Sequence, residues 1–223
     1  MSKRLIVAID GPSGAGKGTV ARAVATRLGY RHIDTGAMYR AVAWKALRDG
    51  VDVTDERAVA VIGERATFDL ERGRVAIDGH DVSSAIRTPD IDSAATAVAR
   101  HPAVRRVLVA RQRTYGESGG VVMEGRDIGT VVFPGADVKI YLDASPEERA
   151  RRRAADPAHA SSKSAQLADV ATALAERDKS DSTRAASPLA IATDAVVIDT
   201  TGLPVSDVID RVVALVASVS ESR

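Results

Sequence analysis

The stretch Gly11-Pro12-Ser13-Gly14-Ala15-Gly16-Lys17-Gly18-Thr19 decides the fold of this 223-residue chain. An apolar run at 5–9 precedes it, and residues 20–28 follow it with the spacing of a helix. A strand, a glycine-rich turn and a helix in this order form an anion-binding loop, because successive backbone N–H groups and the helix dipole point to one phosphate. Lys17 adds a mobile cation. The stretch therefore predicts a site for a polyphosphate.

The loop departs from the usual pattern G-x-x-x-x-G-K-[ST] at one position. Gly18 occupies the place of the Ser or Thr whose hydroxyl binds Mg²⁺, and Thr19 comes one residue later. We therefore expect Mg²⁺ to be held through the phosphates of the nucleotide, and we assign it no protein ligand. The alternative, a turn that only joins a strand to a helix, fits the strand–loop–helix context less well.

The composition is that of an ordinary soluble globular protein, with 45% hydrophobic and 27% charged residues. The net charge of +1 gives no global field that would favour nucleic acid or a membrane. Arginine is far commoner than lysine, with 25 Arg against 6 Lys. Arginine binds phosphate in a bidentate way, but a genomic bias towards its codons explains the excess equally well.

The residue types that the chain lacks exclude further kinds of site and protein. The chain has no cysteine, which excludes disulfides and thiolate metal sites. Its four histidines show no metal-ligand spacing. The apolar run at 5–9 is too short for a signal peptide, and no segment approaches a membrane span. We therefore expect a cytoplasmic protein.

Short apolar segments alternate with helical ones along the chain. Strands are predicted at 30–33, 120–123, 138–142 and 195–199. A closing amphipathic helix is predicted at 205–219. This alternation predicts an α/β fold with a parallel sheet.

One part of the chain breaks this alternation. Residues 67–71 and 74–78 alternate around a Gly-containing turn, which predicts a hairpin, and a helix is expected at 93–100. A hairpin within an α/β chain suggests an inserted lobe at 67–100. The core would then comprise 1–66 and 101–223.

The predicted strand at 120–123 ends in Glu124-Gly125-Arg126-Asp127. In open parallel sheets the carboxyl ends of strands carry the ligand-binding residues. An acid at this place is a candidate partner of Mg²⁺, acting through water. The alternative is a glycine-rich turn with an internal pair between Arg126 and Asp127.

Other charged segments allow two interpretations each. The basic run at 149–153 could begin a short lid at about 150–165, or it could be a solvated helix end. Arg177, Asp181 and Arg184 share a helix face, which could be a surface ladder of ion pairs or a functional face. A predicted helix start at 34–36 could place Thr35 and Arg40 near an anion, or Thr35 could cap the helix and Arg40 be solvated.

These stretches together resemble the bacterial cytidylate kinase family. The resemblance rests on the phosphate-binding loop, on 34–40 and 125–134, and on Glu176-Arg177-Asp178 with Asp181 and Arg184. It covers nearly the whole chain, and the insert at 67–100 matches the enlarged monophosphate-binding lobe of that family. It implies a three-layer P-loop fold with a five-stranded parallel sheet, an inserted lobe with a small antiparallel sheet, and a short lid.

The resemblance also implies an activity: transfer of the γ-phosphoryl group of ATP to CMP or dCMP, with Mg²⁺ as cofactor, in pyrimidine nucleotide metabolism. The residues implied for ATP are Gly11, Pro12, Ser13, Gly14, Ala15, Gly16, Lys17, Gly18 and Thr19. Those implied for CMP are Thr35, Arg40, Thr96, Arg105, Arg126, Asp127, Arg177, Asp181 and Arg184. Those implied in catalysis are Lys17, Arg126, Arg177 and Arg184.

Within the CMP set, the resemblance gives Arg40 and Arg126 to the acceptor phosphate, and gives Arg177 and Asp181 to the sugar. It gives Thr96, Arg105 and Asp127 to cytosine, Thr35 to a hydroxyl near the acceptor, and Arg184 to a further phosphate or base contact. The expected partners are ATP and CMP or dCMP, with no nucleic acid and no membrane, and the expected state is a monomer. Relatives often carry Arg at the position of Ser180, and the lid is short, so the lid contacts are left open.

Two other functions are weighed against this one. A P-loop kinase for UMP, AMP or a small alcohol would share the loop and differ in the acceptor side. A GTPase switch would need the guanine-reading motif Asn-Lys-x-Asp, and this chain contains no asparagine.

Overall fold

The computed structural model describes residues 4–71, 73–156 and 167–221. The strands are β1 (Ile6–Asp10), β2 (Arg31–Asp34), β3 (Phe68–Asp69), β4 (Ala76–Ile77), β5 (His80–Asp81), β6 (Val121–Gly125), β7 (Val138–Asp143) and β8 (Val196–Asp199). The helices are α1 (Lys17–Leu28), α2 (Thr35–Arg48), α3 (Glu56–Arg65), α4 (Pro89–Val98), α5 (Pro102–Gly116), α6 (Pro146–Ala155), α7 (Leu167–Thr183) and α8 (Val205–Glu221). A π-helical turn, Ile128–Val132, follows β6.

The larger sheet has five parallel strands in the order β2-β6-β1-β7-β8, which confirms the predicted fold class. Its strands are apolar on both faces because helices cover both faces. In β1, Val7 and Ile9 pack with α1 and α8, whereas Ala8 packs on the other face with Val109 of α5. Because the five strands are parallel, their carboxyl ends all lie at one edge of the sheet.

The loop between β1 and α1 is held by close backbone packing. Gly11 has φ 147°, and a Cβ atom at this position would lie 2.0 Å from the carbonyl oxygen of Leu142 in β7. Gly16 caps α1 in the left-handed conformation with φ 89°. Gly11 therefore requires glycine both for space and for its backbone angle, and Gly16 requires it for its backbone angle. The glycines therefore set the path of the loop.

The small sheet confirms the predicted hairpin and adds a strand. β3, β4 and β5 pair antiparallel in that order, and each is only two residues long. The helix expected at 93–100 is wrong in its start, because α4 begins at Pro89 with Thr88 as its cap. Proline at the first helical position after a capping threonine is a usual start. Asp92 consequently lies in the first turn of α4.

The predicted lid at 150–165 lies largely outside the described residues. Its first part belongs to α6, and residues 157–166 are not described. Within the described residues, no helix is long and apolar enough to cross a membrane.

Candidate active site

One cavity of about 700 Å³ opens at the edge of the sheet where the strands end. From the predicted set it is lined by Ser13, Gly14, Gly16, Lys17, Gly18, Thr19, Thr35, Arg40, Thr96, Arg105, Arg126, Asp127, Arg177, Asp181 and Arg184. Gly11, Pro12 and Ala15 lie outside its lining, in the part of the loop that packs on the sheet. The fold thus brings the predicted donor and acceptor residues to one space.

Lys17 is buried at the start of α1 and turns its side chain back onto the loop. Its Nζ atom donates to the carbonyl oxygen of Pro12 at 2.6 Å. Burial, together with the nearby cation of Arg126, lowers the pKa of Lys17 to about 7, and the carboxylate of Glu124 acts in the opposite direction. A further anion near Lys17, in addition to the carboxylate of Glu124, would therefore stabilise the charged ammonium form.

The loop is also attached to the helices α6 and α7. Asp178 of α7 accepts a hydrogen bond from the backbone N–H of Ser13 at 3.2 Å. Arg149 of α6 donates to Asp178 and to the carbonyl oxygen of Ser13. Asp178 belongs to the sequence motif at 176–178, but the sequence did not predict its contact with the loop.

Asp10, at the end of β1, connects the loop to the turn after β6. Its carboxylate accepts the backbone N–H groups of Ile128 and Gly129 at 2.9 and 2.7 Å. Burial raises the pKa of Asp10 to about 6, although these two hydrogen bonds act in the opposite direction. The contacts fix the turn that carries Arg126 and Asp127.

Glu124 lies directly beside Gly18. A Cβ atom on Gly18 would be 3.2 Å from Oε1 of Glu124, and that oxygen also lies 2.9 Å from Nε2 of His32. A carboxylate thus lies against the position where the usual loop has a hydroxyl side chain. Among residues 4–71, 73–156 and 167–221, no cluster of three His, Asp or Glu side chains could hold a metal ion.

Asp127 and Arg105 form a buried ion pair. Nη2 of Arg105 donates to Oδ2 of Asp127 at 2.5 Å, and the guanidinium of Arg105 lies 5.3 Å from the ring centre of Tyr39. The internal pair between Arg126 and Asp127, which the sequence left open, is therefore wrong. Arg126 instead pairs with Asp181 of α7, and Asp127 pairs with Arg105 of α5.

The face of α7 with Arg177 and Asp181 is turned inwards, which excludes the surface ladder as its explanation. Asp181 accepts from Nε of Arg126 at 2.9 Å and from Nη1 of Arg184 at 3.3 Å. Asp181 and Arg184 are both buried, and Arg184 lies one residue beyond the end of α7. Burial lowers the pKa of Arg177, and the cations of Arg40 and Arg126 lower it further.

Arg40 is partly buried and paired, so the solvated alternative for it is wrong. Its Nε donates to Oδ1 of Asp92 at 3.0 Å. Thr35 does not cap α2; Asp34 is the cap, and the hydroxyl of Thr35 donates to the carbonyl oxygen of Glu124 at 2.7 Å. The hydroxyl of Thr96 donates to the backbone of its own helix, at Asp92.

The cavity has further lining residues that the sequence did not assign to ATP or CMP. They are Asp34, Gly36, Tyr39, Arg87, Ala95, Ala99, Glu124, Gly125, Glu148, Arg151, Arg152, Arg153, Asp156, Leu203, Pro204 and Val205. The apolar part, Leu203–Val205, lies between β8 and α8 and includes the first residue of α8. Its position after a parallel strand could have indicated a place in the site. Arg152 lies near it and donates to the carbonyl oxygen of Thr200 at 2.7 Å.

Solved structures agree with the fold. A gluconokinase from Sinorhizobium meliloti 1021 superposes with a TM-score of 0.53 at 15% identity, over 100% of this chain and 97% of its own. A shikimate kinase from Acinetobacter baumannii gives a TM-score of 0.50 at 15% identity, over 97% of this chain and 95% of its own. At this identity the likeness concerns the fold alone.

Sequence relatives are much closer. The chain is 50% identical to a cytidylate kinase from Solibacter usitatus, over 97% of this chain and 94% of that one. It is 51% identical to a cytidylate kinase from Pelotomaculum thermopropionicum, over 95% and 96%. The family model for cytidylate kinase matches residues 7–218. The phosphate-binding loop, the arginines of the cavity and these matches lead to one conclusion: the chain belongs to the cytidylate kinase family.

Proposed function

We propose that this chain transfers the γ-phosphoryl group of ATP to CMP or dCMP, giving CDP or dCDP. The observation that carries the proposal is that one cavity joins the phosphate-binding loop to the pair Arg105–Asp127 and to Arg40 and Arg126. Family membership and the names of the relatives support the same reaction.

On the donor side, the backbone N–H groups of Gly14–Thr19 and the ammonium of Lys17 bind the phosphates of ATP, and the rest of Gly11–Thr19 holds the loop in place. We place the adenine beside the apolar residues Leu203–Val205, with the guanidinium plane of Arg152 close by. A flat aromatic base packs well against an arginine plane and apolar side chains.

On the acceptor side, Arg40 and Arg126 bind the phosphate of CMP, and Arg177 and Asp181 contact the sugar. Arg184, which pairs with Asp181, completes this side as a further phosphate or base contact.

We propose that the base site comprises Thr96, Arg105 and Asp127, and that the hydroxyl of Thr35 lies near the acceptor nucleotide. Cytosine offers an exocyclic amine that donates and a carbonyl oxygen that accepts; Asp127 and Arg105 have the complementary chemistry. These assignments are ours, and the ion pair of Arg105 with Asp127 supports them because it holds both groups at the cavity wall.

The chemistry needs little beyond position and charge. A phosphate monoester oxygen is already a nucleophile, so no protein base is required. Lys17 and the loop amides stabilise charge on the donor, and Arg126, Arg177 and Arg184 stabilise the transferring group and the acceptor. Exclusion of water from the closed cavity limits loss of ATP to hydrolysis.

Mg²⁺ is the proposed cofactor, held mainly by the phosphates of ATP. The residues fit such an ion, because Glu124 supplies carboxylate oxygens beside the loop at Gly18, and Mg²⁺ prefers oxygen ligands. Glu124 would act through water. The ion neutralises charge on the β- and γ-phosphates when it is bound.

We further propose that residues 67–100 act as the monophosphate-binding lobe on the core of 1–66 and 101–223, and that about 150–165 act as a lid. The proposal is of a cytoplasmic monomer in pyrimidine nucleotide metabolism. A single chain supplies both sides of the cavity, which supports a monomer. Size-exclusion chromatography with light scattering tests that state.

A panel of acceptors tests the function. CMP, dCMP, UMP and AMP are assayed side by side with ATP and Mg²⁺, and the nucleoside diphosphates are separated by chromatography. We expect CDP and dCDP to form much faster than UDP, and ADP release without acceptor to be slow. Preferred turnover of AMP or UMP would favour a different monophosphate kinase, and ATP hydrolysis independent of any acceptor would favour a switch.

A further inference from the structure

Asp92 joins four helices through one carboxylate. It lies in the first turn of α4, where its Oδ1 accepts from Nε of Arg40 in α2 and lies 3.5 Å from Nη1 of Arg177 in α7. Its Oδ2 accepts from Nη2 of Arg153 in α6. The side chain of Asp92 is 17% exposed, so these contacts lie mostly away from solvent.

The way in which Arg40 is held leaves it able to bind a ligand. The bond to Asp92 uses Nε of Arg40, and among the described residues neither terminal nitrogen of the guanidinium makes a hydrogen bond, so both can bind an anion in the cavity. Arg126 is also held through Nε, which donates to Asp181 at 2.9 Å, while its Nη1 donates to the carbonyl oxygen of Gly125 at 3.2 Å. Each arginine that we place on the acceptor phosphate is therefore fixed at Nε by an aspartate from a different element of the fold.

The three arginines around Asp92 also need a negative charge between them. Arg40, Arg153 and Arg177 lie around one carboxylate, and without it three cations would repel one another in a partly buried place. Burial opposes ionisation of Asp92, but Arg40, Arg177 and Arg153 outweigh it and keep the pKa of this carboxyl below its usual value. The carboxylate is therefore charged at neutral pH and gathers the guanidiniums before substrate arrives.

We propose that Asp92 is a positioning residue for the acceptor phosphate, which orients Arg40 so that it binds the phosphate group rather than the nucleoside of the acceptor. This inference rests on the proposed function. Asp92 itself does not bind the substrate, because a carboxylate repels a phosphate. Its effect comes from the lower cost of ordering an arginine that is already in place.

The test compares Asp92→Ala with Asp90→Ala, since Asp90 is exposed on the same helical turn. KM and kcat are measured for CMP and for ATP, and cytidine, which lacks the phosphate, is used as a competitive inhibitor. We expect Asp92→Ala to raise KM for CMP by about tenfold, the effect of losing one charged hydrogen bond, with less than about twofold change in KM for ATP and in Ki for cytidine. Asp90→Ala should behave as the wild type.

Several outcomes overturn the inference. A KM for CMP that is unchanged or lower in Asp92→Ala shows that the carboxylate does not orient Arg40 or that it competes with the phosphate. Equal changes for CMP and cytidine show a structural effect on the whole cavity. If thermal unfolding shows that Asp92→Ala is not folded, KM is measured for Asp92→Asn instead. A KM for CMP in that variant that equals the wild-type value overturns the inference.

The proposed function fails separately. Wild-type protein is assayed with CMP first, and absence of CDP contradicts the function whatever Asp92 does. Wild-type turnover together with unchanged kinetics in Asp92→Ala contradicts only the role of Asp92.

Discussion

Arg105 and Asp127 are joined by a 2.5 Å hydrogen bond in a buried part of the cavity, although they come from different elements, α5 and the turn after β6. Each supplies the one kind of group that the other lacks, a donor and an acceptor. A base that enters the cavity can exchange hydrogen bonds with both without leaving a buried charge unpaired.

The first prediction concerns this pair. Asp127→Ala should raise KM for CMP by about tenfold or more, because a donor on the base and the guanidinium of Arg105 both lose their acceptor, while KM for ATP changes by less than about twofold. Steady-state kinetics with each substrate varied in turn measures both values. Asp194→Ala, which breaks an ion pair with Lys139 outside the cavity, is the control and should leave both unchanged. Equal rises of both KM values for Asp127→Ala would contradict the proposal that Asp127 binds the cytosine base.

The second prediction concerns pH. The pKa of Lys17 is lowered to about 7 by burial, so the free protein loses this ammonium charge as the pH rises through 7. The phosphates of ATP favour the charged form, so binding of ATP should take up a proton above about pH 7, and affinity should fall as the pH rises there. Calorimetry of ATP binding in two buffers with different ionisation enthalpies measures the uptake.

Lys17→Arg serves as the control for that experiment, because a guanidinium stays protonated. Its ATP binding should show a smaller proton uptake at pH 8 than the wild type. Identical uptake in the two proteins would assign the proton to another group.

The third prediction compares two glycines with positive φ. Gly11→Ala places a Cβ atom 2.0 Å from the carbonyl oxygen of Leu142, so the loop and β7 must separate, and we expect a loss of about 3 kcal/mol or more in the free energy of unfolding. Gly29→Ala, at φ 64°, meets no heavy atom within 4 Å in the described part of the chain, and should lose only about 1 kcal/mol through its backbone angle. Urea unfolding measures both values. A milder effect at Gly11 than at Gly29 contradicts the packing argument.

The fourth prediction concerns the ion pair of Arg126 with Asp181. Arg126→Lys keeps the charge but loses the Nε donor and the planar fork, so kcat/KM for CMP should fall by about a hundredfold. A double-mutant cycle with Asp181→Asn should give a coupling free energy of about 1–3 kcal/mol. Additive effects of the two substitutions would show that the pair does not act as a unit.

Local patterns predicted the central elements because their causes are local. The glycines of 11–16 and the apolar run before them determine the strand, the loop and the start of α1 without help from distant residues. The alternation of apolar and helical segments likewise predicted a parallel sheet, and the family resemblance implied that it has five strands. The structure confirms both.

Partners of charged side chains could not be predicted in the same way. Arg126 and Asp127 are adjacent in sequence, yet they pair with Asp181 and Arg105, which are 55 and 22 residues away. Those distances are bridged only by tertiary packing, in which α5 lies against the sheet and α7 lies against α6 and α4. Asp92 was missed for a more local reason, since the Thr88–Pro89 start of α4 was available but the helix was placed at residue 93.

The helix α7 has a consequence for how the two nucleotides affect each other. Asp178 holds the backbone of Ser13 in the phosphate-binding loop, and Asp181, less than one turn later, holds Arg126, which we propose as a ligand of the acceptor phosphate. A rigid helix cannot shift one of these contacts without shifting the other. Kinetic synergy between the two substrates, in which the first to bind raises the affinity for the second, then requires no separate signalling element.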